Sequence, residues 1–439
     1  MSRVAPKSVL QRQITVALGA SAQVVGQLDH LKSGPRESTS FAYDRAWLQS
    51  ADRFAVSPDL PLVEGRQFRK AASRDDPVFH FALADTAPDG WGRRVIARDH
   101  AKRRRERAAS GEPIAAVALT ELDYLLGVDD ISRIGALRLC DDQCRFLRVA
   151  QDTGRGVPPL LELEHLLGAS RAVETGTDTE ADLRYLRGRG TSLGGMRPKC
   201  TVVDDTGWLA IGKFPSVADD RSVTRGEVLA LHLAAAAGID TAASRIVLCE
   251  EMPVALIRRF DRTSTGARVP YLSAASMLQA SRHEDHAYTE IADAIVATCA
   301  DPARDLAQLW RRIVFNLLIT NVDDHLQNHG FLYAGRGQWR LAPAFDLNPF
   351  PDKDRELKTW LTEATGPTDS VVEVVEAAGY FRLTRLAALE ILAEVHRAVR
   401  GWKGLARSAA VGMTERDLRD VEPAFEHEQV GLVERLLAG

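Results

Sequence analysis

Asn321-Val322-Asp323-Asp324-His325-Leu326-Gln327-Asn328 is followed, after a short apolar hairpin, by Pro343-Ala344-Phe345-Asp346-Leu347. Asp323 can accept a proton from a hydroxyl, while Asn328 and Asp346 offer the hard oxygen atoms that octahedral Mg²⁺ prefers. The same side chains would also serve to cap or turn the chain after a helix, and a spacing of five occurs by chance. As a set, a base and two oxygen ligands on either side of a hairpin are typical of phosphoryl transfer.

Residues earlier in the chain supply the other parts that such a site needs. Lys213 ends the second strand of a predicted hairpin, where it can neutralise phosphate oxygens, and Glu227 follows early in a predicted helix, where it can pair with the lysine. Gly194 and Gly195 allow backbone N–H groups to approach phosphates closely. Taken singly, Lys213 also fits a strand-end lysine in solvent, and the two glycines fit an ordinary hairpin loop. The order of these residues along the chain therefore predicts a kinase that uses ATP and Mg²⁺.

Two competing motifs fit the sequence poorly. Gly190 to Gly195 has the first spacing of a Walker A loop, but Met196 and Arg197 stand where that loop requires lysine and then serine or threonine. His325 and His329 are four residues apart and would suit a zinc site, yet the sequence offers no clear third ligand. A P-loop NTPase and a metallohydrolase are therefore disfavoured.

The composition is that of a folded protein with no strong global charge. The 439 residues include 56 Lys and Arg against 60 Asp and Glu, and 45% are hydrophobic, which excludes a mostly disordered chain. The five cysteines are scattered and odd in number, which favours a reducing compartment. No apolar run approaches the roughly 18 residues of a membrane span. We predict a cytoplasmic protein that does not enter a membrane.

Hydrophobic periodicity predicts an α+β protein with two kinase-like lobes. Strand patterns at 14–18 and 24–28, and hairpins over 199–214 and 245–260 around an Ala- and Leu-rich helix at 226–238, predict a mixed α/β amino-terminal half. After Asp261 the pattern becomes helical, notably at 305–320 and 386–399, and predicts a mainly helical carboxy-terminal lobe. We expect three domains, 1–115, 116–260 and 261–439, with ATP bound between the lobes.

A basic run between Arg93 and Arg107 marks the predicted edge of the first domain. It contains Arg93, Arg94, Arg98, Lys102, Arg103, Arg104, Arg105 and Arg107. A solvated helix or linker accounts for such a run, and so does a patch for nucleic acid or an acidic partner.

Several motifs together resemble the HipA family of bacterial serine/threonine kinase toxins along nearly the whole chain. They are Pro88-Asp89-Gly90-Trp91-Gly92-Arg93, Ser192-Leu193-Gly194-Gly195-Met196-Arg197-Pro198-Lys199, Lys213-Phe214-Pro215, Arg259-Phe260-Asp261-Arg262, Asn321 to Phe331, and Pro343-Ala344-Phe345-Asp346. The resemblance implies that 1–115 is the HipA-type amino-terminal subdomain, 116–260 the small lobe and 261–439 the large lobe.

The resemblance also implies roles for single residues. It makes Asp323 the catalytic aspartate, Asn328 and Asp346 the magnesium ligands and Lys213 the ATP-phosphate lysine. His325 would lie beside the nucleotide, Phe260 would sit on the hinge that receives adenine, and Asp261 would lie near the ribose. Ser192 would be the serine that these kinases phosphorylate on themselves.

The partners implied by the resemblance are a helix-turn-helix antitoxin of the HipB type, DNA bound mainly through that antitoxin, and a protein substrate such as an aminoacyl-tRNA synthetase. Such a toxin inhibits growth and promotes persistence. One other class remains, a small-molecule or lipid kinase, since such enzymes also use an aspartate followed by an asparagine. A third class, a catalytically dead scaffold for a DNA-binding partner, is disfavoured because none of the matched catalytic positions is substituted.

Overall fold

A computed structural model describes residues 9–69, 76–88, 90–111, 118–148, 162–187, 195–281, 284–352 and 354–438. The chain forms two compact units, and neither is continuous in sequence. Unit 1 comprises Met1–Leu209 and Asp261–Leu272, and unit 2 comprises Ala210–Phe260 and Ser273–Gly439. The three domains predicted above, with boundaries near 115 and 260, remain a prediction.

Unit 1 is built on a five-stranded antiparallel sheet with the order β4-β3-β2-β1-β5. Val16, Leu28 and Phe41, on three neighbouring strands, are fully buried or nearly so and form part of its core. The elements of this unit are β1 (Val9–Leu18), β2 (Gln23–Ser33), β3 (Arg36–Tyr43), α1 (Arg45–Gln49), β4 (Arg66–Arg69), α2 (Phe81–Ala84), α3 (Gly90–Ala109), α4 (Glu121–Gly127), β5 (Leu137–Cys140), α5 (Leu163–Thr175), α6 (Glu180–Arg187) and β6 (Lys199–Val203).

The short return segment 261–272 is bound to unit 1 by charged side chains. Arg262 Nη2 donates to the carbonyl oxygens of Ile131, at 3.1 Å, and Arg133, at 2.9 Å. Arg268 Nη2 lies 3.2 Å from Asp130 Oδ2. Because the Arg262 side chain is buried and finds these hydrogen-bond partners in unit 1, the return segment is an integral part of that unit.

Unit 2 begins with a strand, a helix and a hairpin. The elements are β7 (Leu209–Lys213), α7 (Val223–Ala236), β8 (Ser244–Cys249) and β9 (Met252–Arg258), with β9 between β7 and β8. The sequence predicted a turn over 250–253, but the turn is only Glu250 and Glu251, both at positive φ (47° and 64°). Two such residues match the right-handed twist of a tight hairpin, so Pro253 falls within β9 instead.

The rest of the chain is mainly helical. Its elements are β10 (Tyr271–Ser273), α8 (Ala274–Met277), α9 (Tyr288–Thr298), α10 (Pro302–Leu318), β11 (Gly330–Gly335), β12 (Gln338–Leu341), α11 (Val371–Glu376), α12 (Arg385–Arg400), α13 (Trp402–Arg407), α14 (Glu415–Val421) and α15 (Glu428–Ala438). After Ser273 the only named strands among the described residues are the antiparallel pair β11 and β12. The predicted change from a mixed half to a mainly helical half is confirmed.

Helix α10 carries the candidate site at its carboxyl end. The Asp301 side chain accepts a hydrogen bond from Arg304 N, and Pro302 begins the helix, so its start is well capped. Leu306, Leu309 and Ile313 are fully buried, as their helical spacing predicted. No helix in the described part of the chain is long and apolar enough to span a membrane.

Candidate active site

Lys213 lies between two carboxylates of unit 2. Its Nζ atom is 2.6 Å from Glu227 Oε1, on α7, and 2.6 Å from Asp346 Oδ1. Burial opposes the charge of this lysine, but the negative charges of Asp346 and Glu227 outweigh the burial and raise the pKa of Lys213 above its ordinary value. The structure thus brings three of the residues singled out in the sequence into one charged cluster.

The Asp346 backbone and side chain are both fixed. Its φ of 57° is unusual for a residue other than glycine, a conformation that clusters at functional sites. Asn348 Nδ2 donates to the Asp346 carbonyl oxygen at 3.2 Å, and Asn348 N donates to Asn321 Oδ1 at 3.2 Å. Asn321 begins the stretch that contains Asp323 and Asn328. The loop of Asp346 and the loop of Asp323 are therefore hydrogen-bonded to each other.

Asp323 presents a half-exposed carboxylate just beyond α10. Its side chain is 48% exposed, and its Oδ1 atom lies 3.2 Å from Lys358 Nζ. Asn328 Nδ2 donates to the Asp323 carbonyl oxygen at 3.1 Å, so the amide oxygen of Asn328 is the atom left to hold a cation. A carboxylate that solvent can reach is placed to receive a proton from a hydroxyl, and the oxygen atoms of Asn328 and Asp346 are chemically suited to Mg²⁺.

Asp324, the next residue, is buried and structural. Its Oδ2 atom accepts hydrogen bonds from Tyr288 Oη at 2.6 Å, Asn316 Nδ2 at 2.8 Å and His329 Nε2 at 2.8 Å. Burial acts to raise the pKa of this carboxyl, but the interaction with His329 and the hydrogen bonds outweigh it, and the pKa is lowered. Thr359 Oγ1 also donates to the Asp324 carbonyl oxygen at 2.6 Å. Asp324 therefore holds the loop that presents Asp323.

The two histidines of the loop differ in their contacts. His329 Nε2 is engaged by Asp324, whereas the buried Nδ1 atoms of both His325 and His329 have no hydrogen-bond partner in the part of the chain that the structure describes. The position of His325 beside a nucleotide therefore stays a prediction. Among the described residues, no group of three or more His, Cys, Asp and Glu could hold a metal ion, so the zinc alternative gains no support.

Phe260 and Asp261 fall in different units. The ring centroids of Phe260 and Phe345 lie 5.4 Å apart within unit 2, and Phe345 immediately precedes Asp346 in the sequence. Asp261 belongs to unit 1, where its Oδ2 atom accepts hydrogen bonds from Gly135 N at 2.7 Å and Arg262 Nη1 at 2.8 Å. Its side chain is only 3% exposed. The adenine and ribose contacts implied by the resemblance stay predictions, and the visible role of Asp261 is to bind the return segment.

The predicted glycine loop is described only at its end. Gly194 and Ser192 lie outside the described residues, whereas Gly195 has φ 90° and its carbonyl oxygen accepts a hydrogen bond from Trp91 N at 2.9 Å. Trp91 is in the first turn of α3, whose amide groups lack partners within the helix. The end of the glycine loop is thus attached to the start of α3.

Four basic side chains of α3 form ion pairs within unit 1. Arg93 pairs with Glu121, Arg98 and Lys102 pair with Asp178, and Arg103 pairs with Asp99. Arg104 and Arg105 are exposed. The pairing favours a structural helix over a patch for nucleic acid.

Comparison with known families agrees with both halves of the fold. Residues 16–111 match the family described as the HipA N-terminal domain, and residues 191–402 match the HipA-like C-terminal domain. The chain belongs to the HipA family. HipA proteins are kinases of toxin–antitoxin systems, and the predicted resemblance is confirmed.

Two individual proteins extend this match. One is Shewanella oneidensis MR-1 HipA, solved in a complex with HipB and its operator DNA. The match to that structure covers 97% of this HipA-family chain and 99% of the Shewanella chain, with a TM-score of 0.67 and 14% sequence identity. A Sinorhizobium fredii protein with the name "Putative kinase Y4mE" is 26% identical over 344 residues, which are 74% of each chain. The first likeness confirms the predicted α+β fold class.

Sequence reasoning missed the residues that support the loop. Asp324 is contacted from other parts of the chain by Tyr288, Asn316 and Thr359. Asp323 is contacted by Lys358, which follows Asp346 in the sequence. No local motif marks them.

Proposed function

We propose that this HipA-family protein is an ATP- and Mg²⁺-dependent serine/threonine protein kinase and the toxin of a toxin–antitoxin pair. The observation that carries the proposal is the cluster of Lys213, Glu227 and Asp346, hydrogen-bonded through Asn348 and Asn321 to the loop of Asp323. A lysine held by a glutamate, a magnesium-type carboxylate and an accessible base are the parts of a phosphoryl-transfer site.

Each residue has a separate task in the proposed reaction. Lys213 neutralises phosphate oxygens of ATP, and Glu227 keeps that lysine in place. Asp346 and Asn328 hold Mg²⁺, which neutralises charge on the phosphates when it is bound. Asp323 orients the hydroxyl of a serine or threonine and takes its proton. His325, Phe260, Asp261, Gly194 and Gly195 contribute to nucleotide binding.

The proposed partners follow from the family and from the Shewanella complex. We expect a helix-turn-helix antitoxin of the HipB type to bind this chain and to carry it to DNA. The substrate is a protein, with aminoacyl-tRNA synthetases as the first candidates, and its phosphorylation inhibits growth.

Transfer of labelled phosphate in a cell lysate tests the proposal. The wild-type protein with labelled ATP and Mg²⁺ should label one or a few proteins, and the Asp323→Asn variant should not. Label that appears only in lipids or small molecules would favour the alternative, a small-molecule or lipid kinase. If calorimetry shows that the wild-type protein does not bind ATP, the remaining class of function is the catalytically inactive scaffold.

Magnesium dependence is tested at Asp346. Asparagine tolerates the left-handed backbone conformation of this position, so Asp346→Asn should fold but bind Mg²⁺ more weakly. We expect ATP affinity of the wild-type protein to depend on Mg²⁺ and that of the variant to depend on it much less, as measured by calorimetry with and without the metal.

Autophosphorylation at Ser192 is the proposed means of regulation. A phosphoserine carries about −1.5 to −2 charges near neutral pH and would repel the phosphates of ATP. Mass spectrometry after incubation with ATP and Mg²⁺ should find phosphate on Ser192 in the wild-type protein and none there in Ser192→Ala. Full ATP affinity in a phosphorylated sample would contradict the inhibitory role.

A further inference from the structure

Lys358 forms an ion pair with the proposed catalytic base. Its Nζ atom lies 3.2 Å from Asp323 Oδ1, and the two side chains are 59% and 48% exposed. An ion pair this exposed adds little to stability, because both charges remain well solvated. Its importance therefore lies in its position, beside the carboxylate that would face the acceptor hydroxyl.

The backbone around Lys358 is firmly attached to the loop of Asp323. Lys358 N donates to the Val322 carbonyl oxygen at 3.1 Å, and Thr359 Oγ1 donates to the Asp324 carbonyl oxygen at 2.6 Å. Leu357 and Thr359, on either side of the lysine, are buried. An exposed ammonium group on an anchored backbone is well placed to act at a defined position.

The charges of the candidate site indicate a role for a second cation besides Lys213. Lys213 is already balanced by the two carboxylates of Glu227 and Asp346. Asp323 adds a further negative charge where an anionic phosphoryl group must arrive. Like charges repel, and they repel more strongly once a bound nucleotide and substrate exclude water, so a cation beside Asp323 would lower the barrier to that approach.

We propose that Lys358 is a further catalytic residue, which contacts the phosphoryl group during its transfer and holds the Asp323 carboxylate toward the acceptor hydroxyl. This inference rests on the proposed kinase function. The hydroxyl oxygen forms a bond to the γ-phosphorus while the bond from that phosphorus to the β–γ bridging oxygen breaks, leaving the electron pair on ADP. The hydroxyl proton passes to Asp323. Lys358 stays protonated and balances charge on the oxygens of the transferred group.

Three variants test this role. Lys358→Met removes the charge and keeps most of the side-chain length, and Lys358→Arg keeps the charge. Lys403→Met is the matched control, because Lys403 is another half-exposed lysine of unit 2 paired with acidic residues, Glu422 and Glu426. In single-turnover assays, Lys358→Met should slow phosphoryl transfer about 100-fold, the usual scale for losing one group that stabilises transition-state charge. ATP affinity should change less than about threefold, since the contact is made chiefly in the transition state.

The other two variants distinguish a catalytic role of Lys358 from a structural one. Lys358→Arg should recover transfer to within about tenfold of wild type, since the charge is retained but the geometry is altered. Lys403→Met should match wild type. A purely structural lysine would not produce a loss that arginine repairs and that spares ATP binding.

A binding measurement gives a readout that does not depend on turnover. ADP with Mg²⁺ and aluminium fluoride mimics the transferred phosphoryl group, and the wild-type protein should bind this mixture more tightly than ADP with Mg²⁺ alone. Lys358→Met should lose most of that difference. Transfer by Lys358→Met within about threefold of wild type would overturn the inference while leaving the kinase function intact. A wild-type protein that transfers no phosphate would overturn both.

Discussion

Asp323 and Asp324 are neighbours in sequence with opposite environments. The Asp323 carboxylate is half exposed and meets Lys358, whereas the Asp324 carboxylate is buried among Tyr288, Asn316 and His329. Because the charged form of Asp324 is satisfied by three donors, its side chain is committed to holding the loop. The two residues can therefore be separated by experiment into a chemical role and a structural role.

The chemical role is tested by Asp323→Asn. We expect phosphoryl transfer to fall about 100-fold or more, the usual scale for losing a positioned base, with ATP affinity retained. The free energy of unfolding should stay close to the wild-type value, since the side chain is half exposed. Rapid-quench assays and calorimetry measure the first two quantities. Transfer near the wild-type rate would show that another group accepts the proton.

The structural role is tested by Asp324→Asn. This change leaves buried donors without their charged acceptor, and we expect it to destabilise unit 2 by about 3 kcal/mol. The pKa of Asp324 is lowered in the folded state, so its stabilising contribution is present above the unfolded pKa of about 3.9 and is lost as the pH falls through the folded pKa. Urea denaturation should therefore show less loss of stability below about pH 4 in Asp324→Asn than in wild type. Asp323→Asn is the control, and equal acid sensitivity in both variants would contradict this role.

At this scale the sequence singles out candidate residues for chemistry but not the residues that support them. Asp323, Asn328, Asp346 and Lys213 were found because phosphoryl transfer requires those side chains in that order, although their roles remain proposals. Tyr288 and Thr359 lie 36 and 35 residues from Asp324, and only the fold brings them to it. Lys358 was missed for the same reason.

At the scale of elements, the junction between α3 and the glycine loop depends on the absence of a side chain. Gly90 has φ 32°, and a Cβ atom built on it would lie 2.4 Å from the Gly195 carbonyl oxygen. That oxygen accepts the hydrogen bond from Trp91 N. A larger residue at Gly90 must therefore displace either the helix start or the end of the glycine loop.

Gly90→Ala tests the junction. We expect a loss of about 2–4 kcal/mol in the free energy of unfolding, from backbone strain together with the steric clash. Gly19→Ala is the matched control, because Gly19 also has positive φ (66°) but nothing lies within 4 Å of its added Cβ atom. The control should lose only about 1–2 kcal/mol. Equal losses in urea denaturation would show that the contact with Gly195 is unimportant.

Elements with strong periodicity and clear caps were predicted well. Helix α10 and helix α12 match their predicted spans to within a few residues, because each has a buried apolar face and a capping side chain. The turn between β8 and β9 was placed too broadly, since Glu250 and Glu251 are not residues that usually adopt positive φ. The pairing of β8 with β9 determines the conformation of this turn, and the local backbone preferences of the two glutamates do not.

For the whole molecule, the distribution of charge argues against direct binding to DNA. The formal net charge is −4, and Arg93, Arg98, Lys102 and Arg103 of α3 pair with acidic residues of unit 1. We expect the purified chain to leave duplex DNA from its own promoter unretarded at about 0.1 μM and physiological salt, since non-specific dissociation constants lie in the range of about 10⁻⁴ to 10⁻⁶ M. A mobility-shift assay measures this.

The same assay with the antitoxin added provides the positive control. The mixture should retard the DNA in a complex that contains both proteins. Tight, salt-dependent binding by the chain alone would contradict the prediction, and replacing the exposed Arg104 and Arg105 by alanine would then show whether α3 is responsible.

The α+β class and the family could be predicted from the whole sequence because motifs are spread over most of its length. The division into units could not. The pattern changes at Asp261, and a boundary there seemed natural, yet residues 261–272 belong with the amino-terminal unit and the strands of 210–260 belong with the helices that follow. The return of the chain to unit 1 depends on buried contacts of Arg262 and Arg268. Such contacts produce no periodic pattern of hydrophobic residues in the sequence.

The discontinuity of unit 1 has a consequence for how the protein is made. A ribosome releases residues 1–209 well before Arg262 and Arg268 exist to bind Ile131, Arg133 and Asp130. At about 5–20 residues per second, the nascent chain waits roughly 3–13 seconds for this segment. During that interval the amino-terminal part is an unfinished unit that lacks the arginine bound to the Ile131 and Arg133 carbonyl oxygens. A cell that makes the protein slowly therefore exposes this intermediate to chaperones and proteases for longer, before any kinase activity is possible.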